Sequence, residues 1–142
     1  MATTIDNFSG PYGFLSNFFP APITFDGIRY PTSEHAFQAA KTLDQEERKR
    51  IAEEPSPGRA KRLGQKVTLR PGWDGMRVAV MEKLLRAKFS YPELRDQLLD
   101  TGDAELIEGN VWKDKFWGVC GGVGENQLGK LLMKIRDELK PV

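Results

Sequence analysis

The sequence holds a single cysteine, Cys120, and a single histidine, His35. One thiol closes no internal disulfide, which suits a reducing compartment. One cysteine and one histidine cannot furnish a zinc site of mixed Cys/His ligands. No apolar run approaches the roughly 20 residues that cross a bilayer. The opening Met-Ala-Thr-Thr-Ile-Asp lacks a basic stretch followed by an apolar one, so no secretory leader is expected. A cytoplasmic protein away from membranes is the expectation. Excess charge of one sign is missing too. Lys and Arg number 21 against 20 Asp and Glu, a net charge of +1, which argues against a bulk nucleic-acid binder. Internal repeats and linkers are also missing.

Against these absences stand 142 residues, 39% apolar and 29% charged. That describes one ordinary soluble domain over 1–142, long enough to bury about two-thirds of its unfolded surface. The balanced charge hides an asymmetry. Between positions 48 and 70, Arg48, Lys49, Arg50, Arg59, Lys61, Arg62, Lys66 and Arg70 face only Glu53 and Glu54. Between 93 and 114, seven acids from Glu93 to Asp114 face only Arg95 and Lys113. Two solvated helix faces account for this pattern. A phosphate-seeking lip beside a cleft accounts for it as well.

The periodicity predicts a mostly α protein, α+β in class, with a small β-hairpin near the N-terminus. The first 20 residues carry Phe8, Tyr12, Phe14, Phe18 and Phe19 among turn residues and read as an ordered loop. Ile23-Thr24-Phe25, Asp26-Gly27 and Ile28-Arg29-Tyr30 spell a hairpin. Pro31, Thr32 and Ser33 cap a helix that runs on through His35 to Leu43. Further helices are expected over Asp44–Glu54, from Ser56-Pro57, over Asp74–Phe89, over Glu93–Thr101 and over Asn126–Leu139. Ala104 to Glu108 fits neither period clearly.

Several clusters could carry chemistry. Glu34, Phe37, Gln38 and Lys41 share one helix face, and Ala36, Ala39 and Ala40 lie on the other. Exposed, that face is a polar exterior; in a cleft, it offers a general acid/base and a nucleophilic amine. Lys88 falls in the stripe of Arg77, Met81, Leu84 and Leu85, so it is either buried or snorkelling to water. Trp73, Trp112 and Trp117 either pack in the core or stack a heterocyclic base. Asp114 offers a second carboxylate, as cleavage of a glycosidic bond by two carboxylates requires. Gly124 to Lys130 fits G-x-x-x-x-G-K, but Leu131 stands where a P-loop needs Ser or Thr. A tight turn feeding a helix fits the glycines, and so does anion binding at a helix start. Cys120 with His35 as thiol and base has no local signature.

Several of these segments resemble the YbiA-like family, also called NADAR, over nearly the whole chain. They are Phe14-Leu15-Ser16-Asn17-Phe18, the stretch Pro31 to Lys41, Arg86-Ala87-Lys88-Phe89, Phe116-Trp117-Gly118, and Asn126 to Met133. The resemblance implies a single-domain YbiA-like fold and N-glycosidase chemistry. One branch of the family hydrolyses the C–N bond of early phosphorylated intermediates of riboflavin synthesis. Another removes ADP-ribose from guanine in DNA. By resemblance, Glu34 is the acid/base, Trp73 a stacking or positioning ring, Asp114 the second carboxylate, and Lys41 a lysine linked to an imine route. Ser16, Asn17, Phe18, Gln38, Lys88, Trp117, Gly118 and Asn126 resemble pocket-lining positions. Where the family often carries a polar pair after Trp-Gly, this chain has Val119-Cys120.

The leading expectation is hydrolysis of an N-ribosidic bond in a small ribosyl phosphate or an ADP-ribosyl adduct, with ADP-ribosylated DNA as the macromolecular form. No metal or redox cofactor is implied, because carboxylates and an amine suffice. The alternatives are a non-catalytic reader of ADP-ribosyl or NAD-derived ligands and a structural helical domain.

Overall fold

The protein is described by a computed structural model covering residues 3–141. In chain order it forms β1 (Thr4–Ile5), a 3₁₀ helix (Gly10–Leu15), β2 (Ile23–Phe25), β3 (Ile28–Tyr30), α1 (Ser33–Ala40), α2 (Gln45–Glu53), α3 (Pro57–Gly64), α4 (Trp73–Lys88), α5 (Pro92–Asp100), β4 (Glu105–Leu106) and α6 (Gln127–Leu139). The architecture is mostly α with short strands, as the periodicity predicts. Among the described residues no helix is long and apolar enough to cross a membrane. The chain groups into two compact units. One is Asn17–Lys88, and the other comprises the described residues of Met1–Ser16 and Phe89–Val142.

In the first unit, β2 and β3 pair antiparallel with Phe25 opposite Ile28. The turn residues Asp26 and Gly27 have φ of 47° and 83°. Two successive positive φ angles make the tight turn whose twist matches the strands, which is why Asp-Gly is found there. Arg48 of α2 reaches this turn, donating to Asp26 Oδ2 at 3.0 Å and, through Nε, to Thr42 O at 2.8 Å. It is 2% exposed, so it is a tie within the unit and no part of a basic lip.

The first unit is organised around α1. Thr32 Oγ1 accepts from His35 N at 3.1 Å and caps the helix. Helices α2, α3 and α4 and both hairpin strands pack around it, and all eight of its residues are buried. The expected run to Leu43 stops at Ala40. Arg70 takes the end of the helix, its backbone N–H bonding Lys41 O at 2.7 Å and its Nη1 bonding Ala40 O at 3.3 Å. Helix α2 follows at once, with Asp44 as its cap. Helix α3 opens on Ser56 and Pro57 as expected.

In the second unit, β1 pairs parallel with β4, Ile5 beside Leu106. This settles the ambiguous segment from Ala104 as a strand. It also refines the expected N-terminal loop, which contains both β1 and the 3₁₀ helix. Neither strand is long enough to show a period of two, so their pairing is visible only in three dimensions. Helix α6 packs on β4 and α5 through Leu128, Leu131, Leu132 and Ile135. Its N-cap Asn126 is left-handed, with φ 54°. The Asn126 side chain accepts from Glu108 N at 3.0 Å and donates to Leu106 O at 2.9 Å, fastening the helix start to β4.

Candidate active site

The face of α1 bearing Glu34, Phe37, Gln38 and Lys41 is not a polar exterior. Glu34 is 8% exposed and Gln38 4%. Gln38 Nε2 donates to Glu34 Oε2 at 2.5 Å, the i,i+4 contact that the spacing allows. Asn17 fixes the start of this helix: its carbonyl accepts from Glu34 N at 3.1 Å, and its Oδ1 accepts from Ser33 Oγ at 2.8 Å. The Glu34 carboxylate is therefore oriented from both ends, through its backbone and through a neighbouring amide.

Lys41 ends the same helix face, half-buried, with Nζ 5.9 Å from the Phe37 ring centroid. Burial pushes its amine below the ordinary lysine range. Glu34 opposes that shift, and the positive charge of Lys61 on α3 adds to it. A cation beside a desolvated lysine favours the neutral amine, the form that can attack carbon. Phe37 in turn packs on Trp73, ring centroids 5.3 Å apart at 54°. Trp73 is 6% exposed, so it packs beside the helix instead of projecting as an open ring.

Lys88 does not snorkel. It is fully buried, its Nζ lies 5.8 Å from the Phe19 ring centroid, and burial pushes its amine down to about 7. Phe18, next to Phe19 in the chain, is 43% exposed.

The other candidates lie in the second unit. Asp114 Oδ1 accepts from Phe116 N at 3.1 Å and Trp117 N at 2.9 Å, so this carboxylate shapes its own loop. Asn110 closes that loop from the other side, donating to Asp114 O at 2.9 Å and to Glu108 Oε2 at 3.0 Å. Trp117 is half-buried and meets Phe116 edge-on at 5.0 Å. Gly118 is buried, and a Cβ there would overlap Glu108 Oε2 and the Glu108 carbonyl. Ser16 is half-buried just beyond the 3₁₀ helix. Trp112 is 57% exposed.

Three expectations find a bland explanation. Gly129 lies inside α6 against Leu106 O, and Gly124 approaches Gly118 O, so the glycine-rich stretch is close packing and not a P-loop. His35 is fully buried, with Nε2 2.9 Å from Glu54 O and Nδ1 2.7 Å from Thr32 Oγ1. With both nitrogens engaged and burial holding its pKa below the usual value, it is a structural imidazole and no base for Cys120. Most of the 48–70 cations are solvated; only Lys61 and Arg70 lie half-buried near the end of α1. Sequence reasoning missed Asn110, Glu108 and Gly64. A Gly-Asn turn signal precedes the first, and a glycine inside a helical stretch is a mark of close packing at the last.

The NADAR domain family model matches residues 6–140. The chain is 46% identical to N-glycosidase YbiA of Escherichia coli over 98% of its own length and 91% of the relative's. It is 41% identical to a riboflavin biosynthesis protein of Vibrio vulnificus over 91% of this chain, which spans 36% of that longer protein. The NMR structure of E. coli YbiA superposes with a TM-score of 0.84 at 45% identity, covering 98% of this chain and 86% of that one. The chain therefore belongs to the NADAR family, and its class is that of the glycosidases acting on N-glycosyl bonds.

Proposed function

We propose that this protein hydrolyses the N-ribosidic bond of a phosphorylated ribosylaminopyrimidine, an intermediate of the kind used in riboflavin synthesis. The observation that carries the reading is the pairing, seven residues apart on α1, of the buried Glu34 carboxylate with the depressed Lys41 amine. The name of the Escherichia coli relative supports cleavage of an N-glycosyl bond, and that of the Vibrio vulnificus relative supports a substrate of riboflavin synthesis.

The C1–N bond breaks with its electron pair going to nitrogen, and positive charge develops on the ribose. A fixed carboxylate stabilises that charge. Glu34 then takes the proton of the water whose oxygen joins C1, or delivers a proton to the departing nitrogen. Lys41 offers a second route: its neutral amine attacks C1, the base leaves, and the resulting imine is cleared by water. Gln38, Asn17, Phe18, Trp73 and Lys88 are proposed to position the substrate from the first unit. The family resemblance extends the same assignment to Ser16, Trp117, Gly118 and Asn126. Asp114 is proposed as the residue that shapes the Trp117 loop, since its Oδ1 already holds two backbone N–H groups.

Incubation with a ribosylaminopyrimidine 5′-phosphate and, in parallel, with DNA carrying ADP-ribosylated guanine tests the reading, with products identified by mass. Release of free base and ribose 5-phosphate from the first is expected. Cleavage of only the second moves the substrate class to the ADP-ribosyl adduct. Tight binding of either without release of base makes the protein a reader. Borohydride added during turnover distinguishes the routes: a reduced adduct on Lys41 marks the imine, and its absence marks direct hydrolysis.

A further inference from the structure

We infer that Gly64, which bears no reacting group, is a positioning residue for the Glu34 carboxylate and acts through Gln38. The inference deepens the reading of Glu34 as the proton carrier and rests on it.

Helix α3 packs against α1, and Gly64 lies in that contact. A Cβ there would overlap Gln38 Oε1 and lie 2.7 Å from Gln38 Cδ and 2.8 Å from Gln38 Cβ. Glycine weakens a helix, so its presence in the last turn of α3 calls for a reason. Backbone conformation is not that reason, because Gly64 is not among the positive-φ glycines. Space is the reason: the Gln38 amide lies flat on the bare Cα.

The bare Cα leaves the Gln38 amide room to reach Glu34. Gln38 Nε2 donates to Glu34 Oε2, while Gln38 Oε1 is buried with no hydrogen-bond partner. The hydrogen bond to Glu34 decides which end of the amide faces the carboxylate, and the space at Gly64 lets the amide sit where that bond can form. Half a turn of the amide would set its oxygen against the carboxylate, lone pair to lone pair. Held as it is, the amide N–H favours the ionised form of Glu34. That is the form able to stabilise a cationic ribose and accept a proton from water. Gly64 is thus required by the chemistry of a side chain it never touches.

The test is a titration that needs no substrate. The side-chain carboxyl of Glu34 is followed by carbon-13 NMR in wild type, Gly64→Ala, Gln38→Ala and the double variant. In both single variants the Glu34 midpoint is expected to rise by about one pH unit, as loss of a hydrogen bond to a carboxylate produces. The double variant is expected to match Gln38→Ala. A folded Gly64→Ala protein with an unchanged midpoint overturns the inference, as does a double variant whose shift is the sum of the singles. Should Gly64→Ala fail to fold, an unchanged midpoint in Gln38→Ala overturns it equally. Turnover of a ribosylaminopyrimidine 5′-phosphate supplies the second readout. Gly64→Ala is expected to lower kcat about tenfold, to move the acid limb of its pH profile upward, and to leave KM nearly unchanged. Glu34→Gln separates the two claims: full turnover in that variant overturns the role of Glu34, whereas the titration alone decides whether Gly64 sets its ionisation.

Discussion

Helix α1 and the loop from Asn110 to Gly118 both present a carboxylate beside an amide, and they use them in opposite ways. In α1, the Glu34 carboxylate accepts from the side chain of Gln38. In the loop, Asp114 holds backbone N–H groups, and Asn110 holds the Asp114 backbone in return. A carboxylate bound to main chain is architecture, because removing it leaves buried donors with no partner. On the proposed reading, the carboxylate oriented by a side chain is the one that reacts. The two regions also differ in their cations. Lys41 is desolvated and pushed further by Lys61, whereas the second unit offers no counterpart among the shifted lysines of the described residues.

The sharpest break of the comparison is Glu34→Ala. Turnover of the ribosylaminopyrimidine phosphate should fall about 10²–10⁴-fold with the fold retained, as loss of a general acid/base predicts. Measured release of ribose 5-phosphate near the wild-type rate removes Glu34 from the chemistry.

Lys88 tests burial alone, since burial is the cause of its shift. Its folded pKa of about 7 lies below the ordinary 10.5, so the unfolded chain binds more protons between those values. Stability should therefore rise as pH climbs from about 7 toward 10.5, and the penalty should be complete at lower pH. Lys88→Met should remove that dependence. Urea unfolding at several pH values decides it; equal slopes for variant and wild type would contradict the assignment.

On the loop side, Asp114→Ala should cost about 1–3 kcal/mol, the price of two unpaired N–H groups. Asp114→Asn keeps an acceptor at Oδ1 and should stay close to wild type in stability and in turnover. If the Asn variant is stable but inactive, Asp114 joins Glu34 as a reacting carboxylate and the contrast fails. The smallest effect is expected from Lys61→Met, which removes the neighbouring cation and should move the Lys41 titration upward. On the imine route the rise of kcat with pH follows Lys41 and moves with it; a kcat profile that does not move points to direct hydrolysis.

Much of this was legible beforehand. The hairpin at Asp26-Gly27, the capped starts at Thr32, Asp44 and Ser56, and the stripe of α6 all follow from local chemistry, and they stand where expected within a residue or so. The shared face of Glu34, Gln38 and Lys41 follows from the 3.6-residue turn alone. What escaped was every feature made by distant segments meeting: the β1–β4 pair, the end of α1 imposed by Arg70, and the contact of Gly64 with Gln38.

The sequence by itself determined the helices, the turn and the shared face of Glu34, Gln38 and Lys41, because propensity, capping and periodicity act within a few residues. Only the tertiary structure decided that α1 is enclosed on all sides and that Lys88 is sealed from water. Burial, desolvation and hydrogen-bond partners depend on what packs from elsewhere in the chain, and they set which of several chemically equal residues is free to react.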